Sequence, residues 1–139
     1  MNDPMFKIPY GVFVVTTTVD GRDNGCITNT LQQVTVKPNQ VSVCIEKSTL
    51  TCEMVEKAGI LTASVLSQKA DFTLIQRFGF QSGRDVDKFK DFTGFKRVDN
   101  GTVAITEGTN AFISIKVEQS IDLGTHMMFI GEVTQAENL

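Results

Sequence analysis

The sequence holds a single histidine, no tryptophan and only three cysteines among its 139 residues. Each scarcity closes off a class of chemistry. One imidazole cannot build a multi-histidine metal centre, and no metal site is expected. Cys26, Cys44 and Cys52 are odd in number and show no C-x-x-C spacing, which speaks against a zinc ribbon and against a disulfide framework. Reduced, partly buried thiols remain. Lysine and arginine total 13 against 16 acidic residues, a net charge of -3, so a broad nucleic-acid-binding face is not expected. No apolar run is long enough to cross a bilayer, and the N-terminal Met-Asn-Asp-Pro-Met-Phe-Lys has no basic region followed by an apolar stretch. A cytoplasmic protein without a membrane partner is the expectation.

What the chain does have is Val, Ile and Thr, roughly three residues in ten, while Ala and Leu are scarce. Side chains branched at Cβ fit a pleated surface better than a helix. The run Tyr10 to Val19 reads as a strand and Asp20-Gly21 as its hairpin turn. A second run, Gly25 to Val36, can pair with it before Lys37-Pro38-Asn39 turns the chain. In Gln40 to Glu46, Val41, Val43 and Ile45 alternate with polar or small residues, the clearest period of two in the sequence. Leu50, Met54, Val55 and Ala58 have helical spacing, with Thr49 as N-cap and Gly59 as the stop. Ile60 to Leu66 returns to strand composition, and Ser67 can cap a second helix from about Gln68 to Phe78. Residues 79–100 keep neither period, and a loop of that length is usually functional or mobile. Three further strands are expected near Thr102 to Glu107, Ala111 to Ser120 and Met127 to Gln135. Residues 1–139 thus read as one mainly β domain of about the usual size, a closed or nearly closed antiparallel barrel with short helices.

No G-x-S-x-G, H-E-x-x-H, P-loop or G-x-G-x-x-G motif occurs. Hydroxyl and amide side chains instead gather where strands end and helices begin. Thr28, Asn29, Thr30, Gln32 and Gln33 form one group, and Lys47, Ser48, Thr49 and Thr51 precede and open the first helix. A helix start exposes unpaired N–H groups at the positive end of its dipole, so such a set suits a phosphate; capping alone is the plainer use of the same residues. The long loop adds Ser82, Gly83, Arg84, Asp87 and Lys88 among several Phe, a solvated face or a setting for a planar anionic ligand. His126 opens an apolar strand, where an imidazole serves as a structural hydrogen-bonder or carries a proton.

The blocks YGVFVVTT, NGCITNTLQQVT, KSTLTCEMV, FGFQSGRDVDKF and GTHMMFIGEV, in this order, closely resemble the flavin reductase-like, FMN-binding split-barrel family, and within it the flavin reductase domain that some anaerobes join to rubredoxin. The match runs from about Phe6 to Glu137. The resemblance implies a six-stranded antiparallel Greek-key split barrel with two or three short helices, a homodimer, and bound FMN. It places Thr28, Asn29 and Thr30 along the flavin ring and towards its phosphate, and Gln33 is expected among the cofactor-binding residues. Lys47, Ser48, Thr49 and Thr51 are implied at the phosphate, with Arg84 and Lys88 as a basic pair near that end; Ser82 and Gly83 are expected among the cofactor-binding residues, and His126 is implied near the ring or the nicotinamide as the catalytic residue. The activity implied is an NAD(P)H oxidoreductase that passes electrons through FMN to a redox protein such as rubredoxin or to free flavin. Two other readings stand beside it: an FMN-binding electron carrier without its own NAD(P)H site, and a sensory or structural barrel that has lost flavin. The chain ends at Leu139, where family members commonly continue, and it lacks the cysteine pairs of a rubredoxin.

Overall fold

The computed structural model describes residues 3–139. After a 3-10 turn at Pro4–Lys7, strands β1 (Phe13–Val19) and β2 (Arg22–Thr28) form a hairpin. Its two-residue turn has Asp20 at φ 50° and Gly21 at φ 80°, the paired positive values that match the twist of a tight hairpin. Then follow β3 (Leu31–Thr35), β4 (Gln40–Glu46), α1 (Leu50–Ala58), β5 (Ile60–Leu66) and α2 (Phe72–Gly79). The chain finishes with β6 (Phe95–Arg97), β7 (Val103–Ile105), β8 (Thr109–Asp122) and β9 (His126–Asn138).

Seven strands form one sheet in the order β2-β1-β5-β8-β9-β4-β3, with each neighbouring pair antiparallel. This is one more strand than expected, and β6 and β7 make a separate two-stranded ribbon. The extra strand comes from the run Gly25 to Val36, which is not continuous. It breaks at Asn29 and Thr30, and its halves β2 and β3 stand at opposite edges of the sheet. A link of two residues reaches only about 10 Å, so the sheet must curl until its two edges meet at that point. The Thr28 hydroxyl closes this seam by donating to the Cys44 carbonyl at 2.9 Å, and Thr30 Oγ1 reaches the same carbonyl at 3.4 Å.

The curled sheet buries Val15, Val43, Ile45, Leu61, Ile115 and Phe129 on its inner side, together with Cys52 and Val55 of α1. On the other side, Val14 packs with Leu74 and Phe78 of α2, with Phe92, and with Ile105 of β7. Val14 and Val15 are neighbours, so β1 is buried on both faces and shows no alternation. Part of the threonine excess builds this second layer. Thr16 donates to the Val103 carbonyl, Thr62 bonds the hydroxyls of Thr102 and Ser114 at 2.7 Å each, and Ser64 accepts the Ile105 N–H.

α1 has the expected bounds, with Thr49 accepting the Cys52 N–H and Gly59 in the left-handed region at φ 69°. α2 begins later than expected because Asp71, not Ser67, caps it; Ser67 accepts the Lys69 N–H in a preceding turn instead. Nor is the segment 79–100 an open loop. Phe89, Phe92 and Phe95 pack with Phe78 in a mostly edge-to-face cluster, and Arg77 lies 4.9 Å from the centre of the Phe92 ring. The rings of Phe89, Phe92 and Phe95 are core and not a platform for a ligand, while Phe78 joins them from α2.

Candidate functional site

A cavity of about 520 Å³ opens where the sheet edges meet. Thr28, Asn29 and Thr30 line it from the seam, Cys44, Ile45 and Glu46 from β4, Phe78, Gly79 and Gln81 from the end of α2, and Thr125 and His126 from the turn into β9. Beside it lies a cavity of about 300 Å³ lined by Ser48, Thr49, Leu50 and Thr51 at the start of α1, and by Ser82 and Gly83 across from them. Both are lined by Thr49, Gly79, Gln81 and Lys88. The fold thus draws together two threonine groups that lie some twenty residues apart in sequence.

Lys88 is the unusual member. Its side chain is almost wholly buried, and its ammonium donates to the carbonyls of Gly25 at 2.8 Å and Phe78 at 2.9 Å. No carboxylate pairs with it among the described residues, and burial pushes its pKa down. A buried cation without a counter-charge is costly unless something supplies the negative charge. An anion bound in the adjoining cavities would do so.

The helix start offers the complementary donors. Thr49 Oγ1 is already committed, accepting from the Cys52 N–H and donating to the Glu46 carbonyl at 2.8 Å. The remaining first-turn N–H groups have no intrahelical acceptor and carry the positive end of the helix dipole. Thr49→Ala is therefore expected to cost about 1 kcal/mol of stability as well as ligand affinity; a urea titration matching the parent's would remove it as a cap. Thr51 is fully buried, its hydroxyl accepting from the Asn24 side-chain amide at 2.9 Å.

Other candidate residues lie at the rim or away from it. Arg84 is exposed, bonded to Glu53 at 3.0 Å and to the Ser48 carbonyl at 3.4 Å, so the Arg84 guanidinium holds the Glu53 carboxyl below the usual carboxylate range. Lys47 pairs with Asp122 at 2.8 Å and fastens the β8–β9 turn to the end of β4. Gln33 is exposed on β3, bonded to Asn39, and lines neither cavity. His126 is exposed at the mouth; its Nδ1 meets the Thr125 hydroxyl at 2.8 Å, and Nε2 has no partner among the described residues. Ile27, Gly79, Gln81 and Leu123 also line the larger cavity and were not legible as site residues, since apolar and glutamine side chains carry no motif. Cys26 and Cys52 are inert in their surroundings, burial raising the first and pushing the second up to about 11. Among the described residues no group of His, Cys, Asp and Glu could hold a metal, and no helix is long and apolar enough to cross a membrane.

Residues 5–138 match the model of the flavin reductase like domain. The chain belongs to the flavin reductase-like family of oxidoreductases. It is 37% identical over 137 residues to a ferric-chelate reductase (NAD(P)H) of Archaeoglobus fulgidus, covering 99% of this chain and 80% of that protein. It is 36% identical to the high molecular weight rubredoxin of Moorella thermoacetica, covering 95% of this chain and 57% of that one. Its fold superposes on an NADH:FAD oxidoreductase of Streptomyces globisporus C-1027 with a TM-score of 0.83 at 25% identity, covering 95% of this chain and 77% of that one. The family is one of flavin binding and NAD(P)H use, and this site's own chemistry fits a flavin. An apolar wall of Ile27, Ile45 and Phe78 suits a ring system, and Lys88 with the α1 start suits a phosphate.

Proposed function

We propose that this flavin reductase-like protein is an FMN-dependent NAD(P)H oxidoreductase that delivers electrons to a redox protein such as rubredoxin or to free flavin. The observation that carries this reading is the pair of adjoining cavities with an uncompensated lysine between them. In this reading the isoalloxazine ring occupies the larger cavity and the ribityl phosphate the smaller one. The choice of FMN rests on the α1 start, a single anion site faced by Ser82 and Gly83, which suits one terminal phosphate. Residues 1–139 then act as one Greek-key split-barrel domain, in a cytoplasmic homodimer.

Bound FMN would supply a centre that accepts hydride from a nicotinamide and returns the electrons to an acceptor. The protein's part is to bind, orient and shield. Lys88 and the α1 N–H groups balance negative charge, and charge-assisted donors of this kind are the strong ones. Thr28 and Thr30 fix the seam beside the ring, while Ile27, Ile45 and Phe78 exclude water from one side of it. His126 stands at the open mouth with Nε2 free to hold or release a proton where a nicotinamide would enter.

The protein as isolated, or after addition of FMN, should show a flavin absorption band that NADH or NADPH bleaches on rapid mixing. A flavin band that neither nucleotide bleaches would leave an electron carrier reduced by a partner, and no band at all would remove the flavin reading. Acceptors to offer the reduced protein are rubredoxin, free flavin and a ferric chelate. His126→Ala should slow bleaching by NAD(P)H about ten-fold or more with little change in FMN affinity. An unaltered bleaching rate would return His126 to a structural role.

A further inference from the structure

The smaller cavity has two walls from distant parts of the chain, the start of α1 and the Ser82-Gly83 turn, and one buried side chain meets both. Asn24, in the middle of β2, is 1% exposed. Its Nδ2 donates to Thr51 Oγ1 at 2.9 Å on the α1 side. On the other side, the backbone of Gly83 lies directly against the same amide. A Cβ at Gly83 would come within 2.7 Å of Asn24 Cγ and Nδ2 and closer still to Oδ1, shorter than real Cβ contacts allow. The amide cannot easily move aside, because it is buried and tied to Thr51. Arg22, two residues earlier on β2, donates to the Gly83 carbonyl and holds the turn down on it. The backbone angle of Gly83 is not in the left-handed region, so its lack of a side chain serves close approach and not a turn.

We propose that Asn24 is a positioning residue that sets the width of the phosphate end of the flavin site, spacing Thr51 and the α1 start from the Gly83 backbone. Asn24 acts through these two neighbours and needs no contact with the cofactor. The inference rests on the flavin reading above and adds to it the part of the molecule that determines how firmly the phosphate is held. A wall displaced by one methyl group would open the phosphate end while leaving the ring cavity as it is, because Asn24 and Gly83 line only the smaller cavity.

The test compares FMN with riboflavin, which has the same ring and no phosphate. Gly83→Ala is expected to weaken FMN binding about ten-fold while riboflavin binding stays within about two-fold, both read by flavin fluorescence quenching. Asn24→Ala should also weaken FMN selectively, because Thr51 loses its donor. In the double variant N24A/G83A the added methyl group should cost nothing beyond N24A alone, since the amide it meets is gone. Equal losses of FMN and riboflavin in G83A, an unchanged FMN affinity, or a methyl cost that persists in the double variant would overturn the proposal. A parent protein that binds neither flavin would fail the flavin reading itself, which separates the two failures. Melting temperatures of the variants, measured without flavin, check that each is folded.

Discussion

Lys88→Met is expected to weaken FMN binding about a hundred-fold while leaving the apoprotein folded, because charge-assisted bonds to a buried cation are worth about 1.5–3 kcal/mol each. The lysine is enclosed, meets only carbonyls, and has no carboxylate to satisfy it among the described residues. Methionine keeps much of the volume and removes the charge, an exchange that often costs buried ionic groups little stability. Two effects oppose each other in the apoprotein: the burial penalty of the ammonium disappears, and the Gly25 and Phe78 carbonyls lose a donor. Isothermal titration with FMN and a urea titration of the apoprotein measure the two halves separately. Parent-like affinity in the variant would remove Lys88 from the site.

The same residue predicts a pH dependence whose sign can be worked out. Burial lowers the Lys88 pKa from its ordinary 10.5. An anion binds the charged form better, so FMN affinity is full below the lowered value and falls as pH rises through it. For folding of the apoprotein the sign is reversed. A lysine whose folded pKa is depressed opposes folding while both states are charged, and that penalty is relieved as pH climbs from the folded value towards 10.5. The Cys26 thiol is the titratable neighbour, itself raised by burial, so it stays neutral at ordinary pH and does not supply the missing charge. In Lys88→Met the alkaline loss of affinity due to this group should vanish.

Phe78→Ala should cost about 3–5 kcal/mol of stability, the usual range for emptying a buried phenylalanine site. Phe78 is 1% exposed, packs edge-to-face with Phe89 at 5.4 Å and Phe92 at 5.6 Å, and lines the larger cavity. It therefore joins the second core layer to the site wall. For a chain of this length the loss corresponds to a fall in melting temperature of about 10 °C or more. Flavin affinity should fall with it, since the ring that is lost is part of the wall of the larger cavity. A melting temperature within a degree or two of the parent's would show that the aromatic cluster is not a single packed unit.

The local features of the fold were legible wherever a short-range rule governs. The alternation of Val41, Val43 and Ile45 specified β4, and Thr49 and Gly59 bounded α1 to the residue, because caps and side-chain periods depend on adjacent backbone. Where the burial came from distant partners, the reading differed. Phe89, Phe92 and Phe95 sit among Gly, Asp, Lys and Arg and keep no period, yet α2 and β7 cover them. Lys88 resembles any loop lysine in sequence, and its enclosure is decided by β2 and α2. Gln33 and Thr30 stand three residues apart, but the strand carries Gln33 away from the cavity that Thr30 lines.

The sparse histidine and cysteine, the balance of charge and the surplus of β-branched residues were enough by themselves to turn the reading from metal, disulfide and nucleic-acid chemistry towards a mainly β fold, because composition limits which groups exist at all. The five ordered blocks did the same for the flavin reductase-like family. Only the tertiary structure decided what each hydroxyl does. Thr16, Thr62 and Thr102 hold a ribbon to the sheet, Thr28 and Thr30 close a seam, and Thr49 caps a helix at the edge of a cavity. A threonine carries the same oxygen in every one of these places. Its use is set by which carbonyl, N–H or ligand the folding of distant strands brings within about 3 Å of it, the range of a hydrogen bond.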